Sequence, residues 1–262
     1  MNFYDSHNHL QDPALIPYQA TILKDCAKAQ VRKMVVNGTC EEDWAAVKIL
    51  AESHPTVIVP AYGLHPWHIR QRSTQWLATL RHNLKENPSA VVGEIGLDRW
   101  IKDFDIHDQL ETFTQQLELA AELKRPITIH CLKAWQTLHD QLSALPALPK
   151  GFLLHSYGGS AEMIQPFVRL GGYFSISGDF VHPQKQRKHA LLQHIPLDRL
   201  LLETDAPAML PPQHLIKYPL NDETLNHPAN IVSIYSFTAS LLGITEEMLA
   251  QQLSENFKRL FH

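Results

Sequence analysis

Short apolar runs alternate along the chain with longer segments in which apolar residues recur every three to four positions. The short runs lie at Phe3–His7, Lys33–Gly38, Val57–Tyr62, Ala90–Ile95, Ile127–Cys131, Phe152–His155, Gly172–Ile176 and Leu200–Glu203, and they predict eight strands. Between them, helical spacing covers Gln19–Ala29, Glu42–Glu52, Thr74–Lys85, Ile106–Leu123, Trp135–Leu142, Ala161–Leu170 and Gln184–Gln193, each bounded by polar residues, Gly or Pro. Two further helical patterns, Pro228–Leu242 and Glu246–Leu260, follow a proline-rich loop from Ala206 to Pro219. Strand–helix alternation from end to end predicts a parallel sheet, and eight such units close most economically as an α/β protein of the (β/α)8 TIM-barrel type.

The length of 262 residues fits one such barrel, and no linker, low-complexity tract or repeat beyond the βα alternation divides it, so residues 1–262 are expected to form a single domain. Hydrophobic residues make up 44% and charged residues 19%, enough apolar material for a sizeable core. A formal net charge of −4 gives no global signal for polyanion binding. Three widely spaced cysteines, no basic start before an apolar run and no membrane-length apolar stretch predict a cytoplasmic protein without a membrane partner. A monomer fits these features. Sixteen histidines, however, invite a search for a metal centre.

The first strand runs into Asp5-Ser6-His7-Asn8-His9, and strand alternation points His7 and His9 to one side, where two imidazoles can share an ion. Ordinary strand-end polarity is the alternative for an isolated pair. Further ligand types at the carboxyl ends of other strands, where barrel enzymes build their sites, change the balance. Glu94 is expected at the end of the fourth strand, His130 and His155 at the ends of the fifth and sixth, and Asp205 just past the eighth. Six ligands exceed the needs of one catalytic ion with an open position, so two divalent ions, zinc, manganese or magnesium, are expected, with Glu94 between them. In this scheme His7 and His9 hold one ion, His130 and His155 the other, and Asp205 is both ligand and general base.

The motifs DSHNHL, GLHPW, GEIGLD, the Pro-Ile-Thr-Ile-His strand, HSYGGS and ETDAP together resemble the TatD-type hydrolases of the amidohydrolase superfamily, over residues 5 to 208. The resemblance implies a metal-dependent barrel, a DNA or RNA strand as substrate and ligands at the six residues named above. The chain departs from the family pattern in places. His130-Cys131-Leu132-Lys133 lacks the arginine that usually follows the fifth-strand histidine to hold phosphate, and Asn226-His227-Pro228 stands where Asn-Glu-Pro is usual. Gln11 closes the first motif where aspartate is common, and Tyr218–Glu223 is not basic.

Lys133 could replace the arginine as a point charge, although it lacks the bidentate fork, and His65 could contact substrate phosphate or pack on Trp67. Cys40 and Cys131, without a partnering base, read as structural. His68, His82, His107, His139, His182, His189, His194 and His262 are assigned to the surface, and Lys185-Gln186-Arg187-Lys188 to a solvated helix face. Two functions follow: a nuclease, or a hydrolase of a small amide, ester or lactone using the same metal site. A scaffold with a vestigial site is disfavoured because all six ligand positions are filled.

Overall fold

The computed structural model describes residues 1–145 and 148–262. Eight strands, β1 (Phe3–Asn8), β2 (Val31–Asn37), β3 (Ile58–Tyr62), β4 (Val91–Asp98), β5 (Ile127–Leu132), β6 (Phe152–Leu154), β7 (Gly172–Ile176) and β8 (Leu200–Leu202), form one sheet in chain order. Every neighbouring pair is parallel. The sheet closes between β8 and β1, where Ser6 Oγ donates to Leu202 O at 2.9 Å and Asp205 N to His7 O at 3.0 Å. The expected TIM barrel is the observed one.

Helices α1 (Gln19–Lys28), α2 (Trp44–Ser53), α3 (Trp76–Glu86), α4 (Ile106–Leu123), α5 (Trp135–Ala144), α6 (Ile164–Arg169), α7 (Gln186–Leu192) and α8 (Ile231–Leu242) follow the strands in turn, and α9 (Glu246–Phe261) comes last. In α4, Phe113, Leu117 and Ala120 fall on one buried stripe, while Asp105 caps the start by accepting from the His107 and Asp108 amides. The expected sixth helix at Ala161–Leu170 divides into a 3-10 turn, Ala161–Met163, and the short α6. A similar turn, Pro183–Lys185, precedes α7.

A large apolar layer lies between the sheet and the helices, and a second, smaller cluster fills the barrel. The smaller one joins Tyr4, Val35, Val59, Leu153 and Tyr173 to Phe257, Leu260 and Phe261, so α9 plugs the amino-terminal end of the barrel. The carboxyl end is left for polar groups. There the chain leaves the strands sharply: Lys133, Ser156 and Asp205 take left-handed backbone with φ of 52°, 43° and 51°.

One boundary matters for the site. Strand β4 continues to Asp98, so Glu94 stands in its middle and not at its end as expected. Gly96 makes the longer pairing possible: its φ is +155°, and a Cβ there would meet His130 O at 1.9 Å. The close approach places Gly96 opposite His130 in register.

Candidate metal centre

Glu94, enclosed at the carboxyl end of the barrel, presents its two oxygens to two separate sets of imidazoles. On one side Oε2 faces His7 Nε2 at 3.3 Å and His9 Nε2 at 3.4 Å. Asp205 Oδ1 lies on that side too, 3.7 Å from His7 and 3.5 Å from His9. On the other, Oε1 faces His155 Nε2 at 3.0 Å, His130 Nδ1 at 3.2 Å and His65 Nε2 at 3.4 Å. The six residues expected to act together are thus brought together, from β1, β4 and β5 and the segments just past β1, β6 and β8.

In the neutral rings of His9, His130 and His155 the protonation pattern around this carboxylate follows from the group behind the far nitrogen, whereas His7 Nδ1 is buried without a hydrogen-bond partner. His9 Nδ1 lies 2.8 Å from the Asn37 carbonyl, which can only accept, so His9 carries its proton there and turns a lone pair inward. His130 Nε2 is 3.1 Å from Asp98 Oδ2, and His155 Nδ1 is 3.4 Å from Glu203 Oε1, which leaves His130 Nδ1 and His155 Nε2 free. Carboxylates and carbonyls behind the ring are the arrangement that fixes a metal-binding tautomer. His65 is the reverse case. Its Nδ1 accepts the Trp67 amide at 3.1 Å, so its proton sits on Nε2 and points at Glu94. With a donor aimed inward, His65 supports the carboxylate and offers no lone pair to an ion.

The donor set fits divalent ions. His7 and His9 nitrogens are 3.3 Å apart and those of His130 and His155 are 3.2 Å apart, close to the roughly 3.3 Å edge of a tetrahedron with bonds of about 2.0–2.1 Å. With no ion bound, burial alone would raise the Glu94 carboxyl, but positive charge on protonated imidazoles, His155 first, outweighs it and holds the group well below the ordinary carboxylate range, and the same carboxylate helps to raise His9, His130 and His155 above the ordinary imidazole value. Burial likewise pushes His65 down to about 4, so it is neutral. Asp98 is pulled down to about 2, since the hydrogen bonds from His130 and Trp67 overcome its desolvation.

Sequence reasoning missed Asp98 and Glu203 as the groups behind His130 and His155. It also passed over Asp5, which accepts from Thr204 N at 2.9 Å and Oγ1 at 2.6 Å and so ties the β8 loop to β1. Lys133 does not join the cluster; its Nζ stands 3.8 Å from the centre of the Trp100 ring. Cys131 is buried and its thiol pushed up to about 12, which suits the structural assignment. The basic run is partly neutralised, with Lys185 and Lys188 both 3.1 Å from Asp179. Four of the histidines assigned to the surface, His68, His139, His182 and His189, are instead half-buried. His189 bonds the Phe180 carbonyl at 2.8 Å and His182 that of Leu210 at 3.0 Å.

The family model described as TatD related DNase matches residues 4–262. The chain belongs to that family. Among its relatives is a 3′-5′ ssDNA/RNA exonuclease TatD of Pantoea vagans, 34% identical over 92% of each chain. Another is the metal-dependent hydrolase YjjV of Escherichia coli K12, 30% identical over 99% of this chain and 98% of that protein. The crystal structure of YjjV, a TatD homolog, superposes with a TM-score of 0.89 over 99% of this chain and 97% of the other. A phosphotriesterase homology protein from Escherichia coli, 15% identical with a TM-score of 0.72 over 100% of this chain and 99% of that one, shares the fold.

Proposed function

We propose that this TatD-family protein is a metal-dependent nuclease that hydrolyses phosphodiester bonds of a DNA or RNA strand, working from the 3′ end as its named relatives do. The observation that carries this reading is Glu94, one buried carboxylate whose two oxygens each serve a separate set of imidazoles. His7 and His9 would hold one divalent ion, His130 and His155 the other, and Glu94 would stand between them. Zinc, manganese or magnesium ions bound there would lower the pKa of a water toward neutrality and offset charge on the attacking and leaving oxygens.

The chain's own groups do the rest. Asp205 Oδ1, beside His7 and His9, is placed to accept a proton at the mouth of the site. His65 Nε2 donates toward Glu94 Oε1 and keeps that carboxylate oriented. Asp98 and Glu203 hold the His130 and His155 rings at the angles their inner nitrogens need. The whole chain acts as one catalytic domain. A cytoplasmic setting accords with three cysteines that are all free. No helix among the described residues is long and apolar enough to cross a membrane.

A second reading, hydrolysis of a small ester, lactone or amide at the same centre, is favoured by one feature: the apolar Leu132 occupies the place of the family's phosphate-binding arginine, 36% exposed at the end of β5. Elemental analysis of wild type and of the His7→Ala/His9→Ala double variant tests the centre. Up to two ions per chain are expected in the first and a sharp loss in the second. Manganese- or magnesium-loaded protein on end-labelled single-stranded DNA, against a lactone and an amide, then separates the two substrate classes. Turnover of the lactone or amide with the DNA untouched would favour the second.

A further inference from the structure

The sequence has five tryptophans, and two of them, Trp67 at 56% and Trp100 at 66%, are largely exposed. Trp44 and Trp76, by contrast, are buried. Large exposed indoles are uncommon on a surface that packs nothing against them. Both are fastened to one buried carboxylate. Trp67 Nε1 donates to Asp98 Oδ2 at 2.7 Å, and the backbone N–H of Trp100 donates to Asp98 Oδ1 at 2.6 Å. Asp98 is also the group that holds His130, through Oδ2 at 3.1 Å. The Trp67 ring stands edge-on to His65, centroids 5.0 Å apart, and 6.2 Å from His130. The Trp67 ring is therefore continuous with the metal centre, and Trp100 is tied to the same carboxylate through its backbone. Cations accompany them, since the Lys133 ammonium lies 3.8 Å over the Trp100 ring and the exposed Arg99 side chain reaches Thr137 Oγ1 at 3.1 Å.

We infer that Trp67 and Trp100 form a platform on which a nucleobase beside the scissile phosphate stacks, with Lys133 and Arg99 facing the strand's backbone. This inference rests on the nuclease reading and supplies the recognition that the missing arginine does not. Aromatic faces beside cations bind unpaired nucleotides with little dependence on sequence, because every base has a stackable face. A duplex keeps its bases stacked on one another and cannot use the platform, so the substrate is single-stranded. The fixed Trp67 edge matters as well: an indole tied at Nε1 loses little freedom when a base covers it.

Tryptophan fluorescence of the chelator-treated protein, titrated with a short single-stranded oligonucleotide, reads binding without turnover. The same oligonucleotide carrying an abasic residue at its 3′ end is the comparison, and steady-state cleavage by the metal-loaded protein is measured in parallel. Wild type is expected to bind the intact strand about tenfold or more tightly than the abasic one, with fluorescence quenching and with the difference in KM more than in kcat. Trp67→Ala should lose most of that preference, whereas Trp67→Phe, which keeps a ring but not the bond to Asp98, should retain part of it. Trp100→Ala leaves the Trp67–Asp98–His130 chain intact and should lower the preference without changing metal content. Undiminished discrimination in both alanine variants would overturn the platform while leaving the nuclease reading in place. If no oligonucleotide is bound or cleaved while a lactone or amide is turned over, the reading and the platform fall together.

Discussion

The two ends of the barrel are built from opposite materials. At the amino-terminal end, α9 presses Phe257, Leu260 and Phe261 into the strands, and Phe257 packs at a tilt against Tyr4 with ring centres 4.9 Å apart. At the carboxyl end, histidines converge on Glu94 with nitrogens 3.0–3.4 Å from its oxygens. One end contributes burial; the other spends stability on enclosing charges that hold each other in place. The difference teaches that the plug and the site answer to separate demands, and each can be disturbed without the other.

The largest effect is expected at the plug. Phe257→Ala removes a fully buried aromatic and should cost about 3–5 kcal/mol of unfolding free energy. Urea unfolding measures this, and metal content of the folded variant should stay at the wild-type level. Loss of metal without loss of stability would mean that the two ends are not independent. Next comes Asp205→Asn, which keeps an oxygen beside His7 and His9 but removes the proposed acceptor of a proton. Turnover is expected to fall by about 10²-fold or more with unfolding free energy little changed, and near-normal turnover at saturating metal would take the base role away from Asp205.

Stability should depend on pH through the loops of the carboxyl end. His227-Pro228-Ala229 repeats the His65-Pro66-Trp67 turn, its Nδ1 accepting the Ala229 amide at 2.9 Å, but its Nε2 meets only Asp25 at 3.8 Å. Burial pushes His227 down to about 4, below the unfolded value of 6.5, so the unfolded chain takes up this proton first. The stabilising contribution is complete above pH 6.5 and drains away as pH falls toward 4. Asn can accept the same amide without titrating, so His227→Asn should make the loss over that window smaller by on the order of 2 kcal/mol. Parallel melts of the two proteins at pH 7.5 and 4.5 would reveal it, and identical pH slopes would count against it. The smallest effect is a gain: Leu132→Arg should raise phosphodiester kcat/KM about tenfold, near 1.4 kcal/mol, and leave a neutral lactone unhelped. Unchanged cleavage with a fall in lactone turnover would favour the small-molecule reading.

Much of this was legible in the sequence. All eight strands lie within a few residues of their expected positions, because apolar runs bounded by Gly, Pro and polar residues are a local signal. Glu94 and the five predicted residues around it were legible because strand ends of a barrel converge by construction. The reach of β4 was not, since it depends on Gly96 lying against the His130 carbonyl, a contact between two strands. Asp98 could have been found: in Glu94-Ile95-Gly96-Leu97-Asp98 strand alternation puts both acids on one face. The task of His65 was hidden, because the Trp67 amide on its Nδ1 decides which nitrogen carries the proton.

The seam between β8 and β1 also sets a timetable. Ser6 and Leu202, which meet there, are 196 residues apart, and Ser254 of α9 bonds Tyr4 across 250. Contacts of such separation form late, after the intervening chain has been made and collapsed. A ribosome-bound chain therefore displays His7, His9, Glu94, His130 and His155 long before Asp205 and the plug exist. A chain stalled before β8 therefore lacks Asp205 and leaves the β1 and β7 edges unpaired.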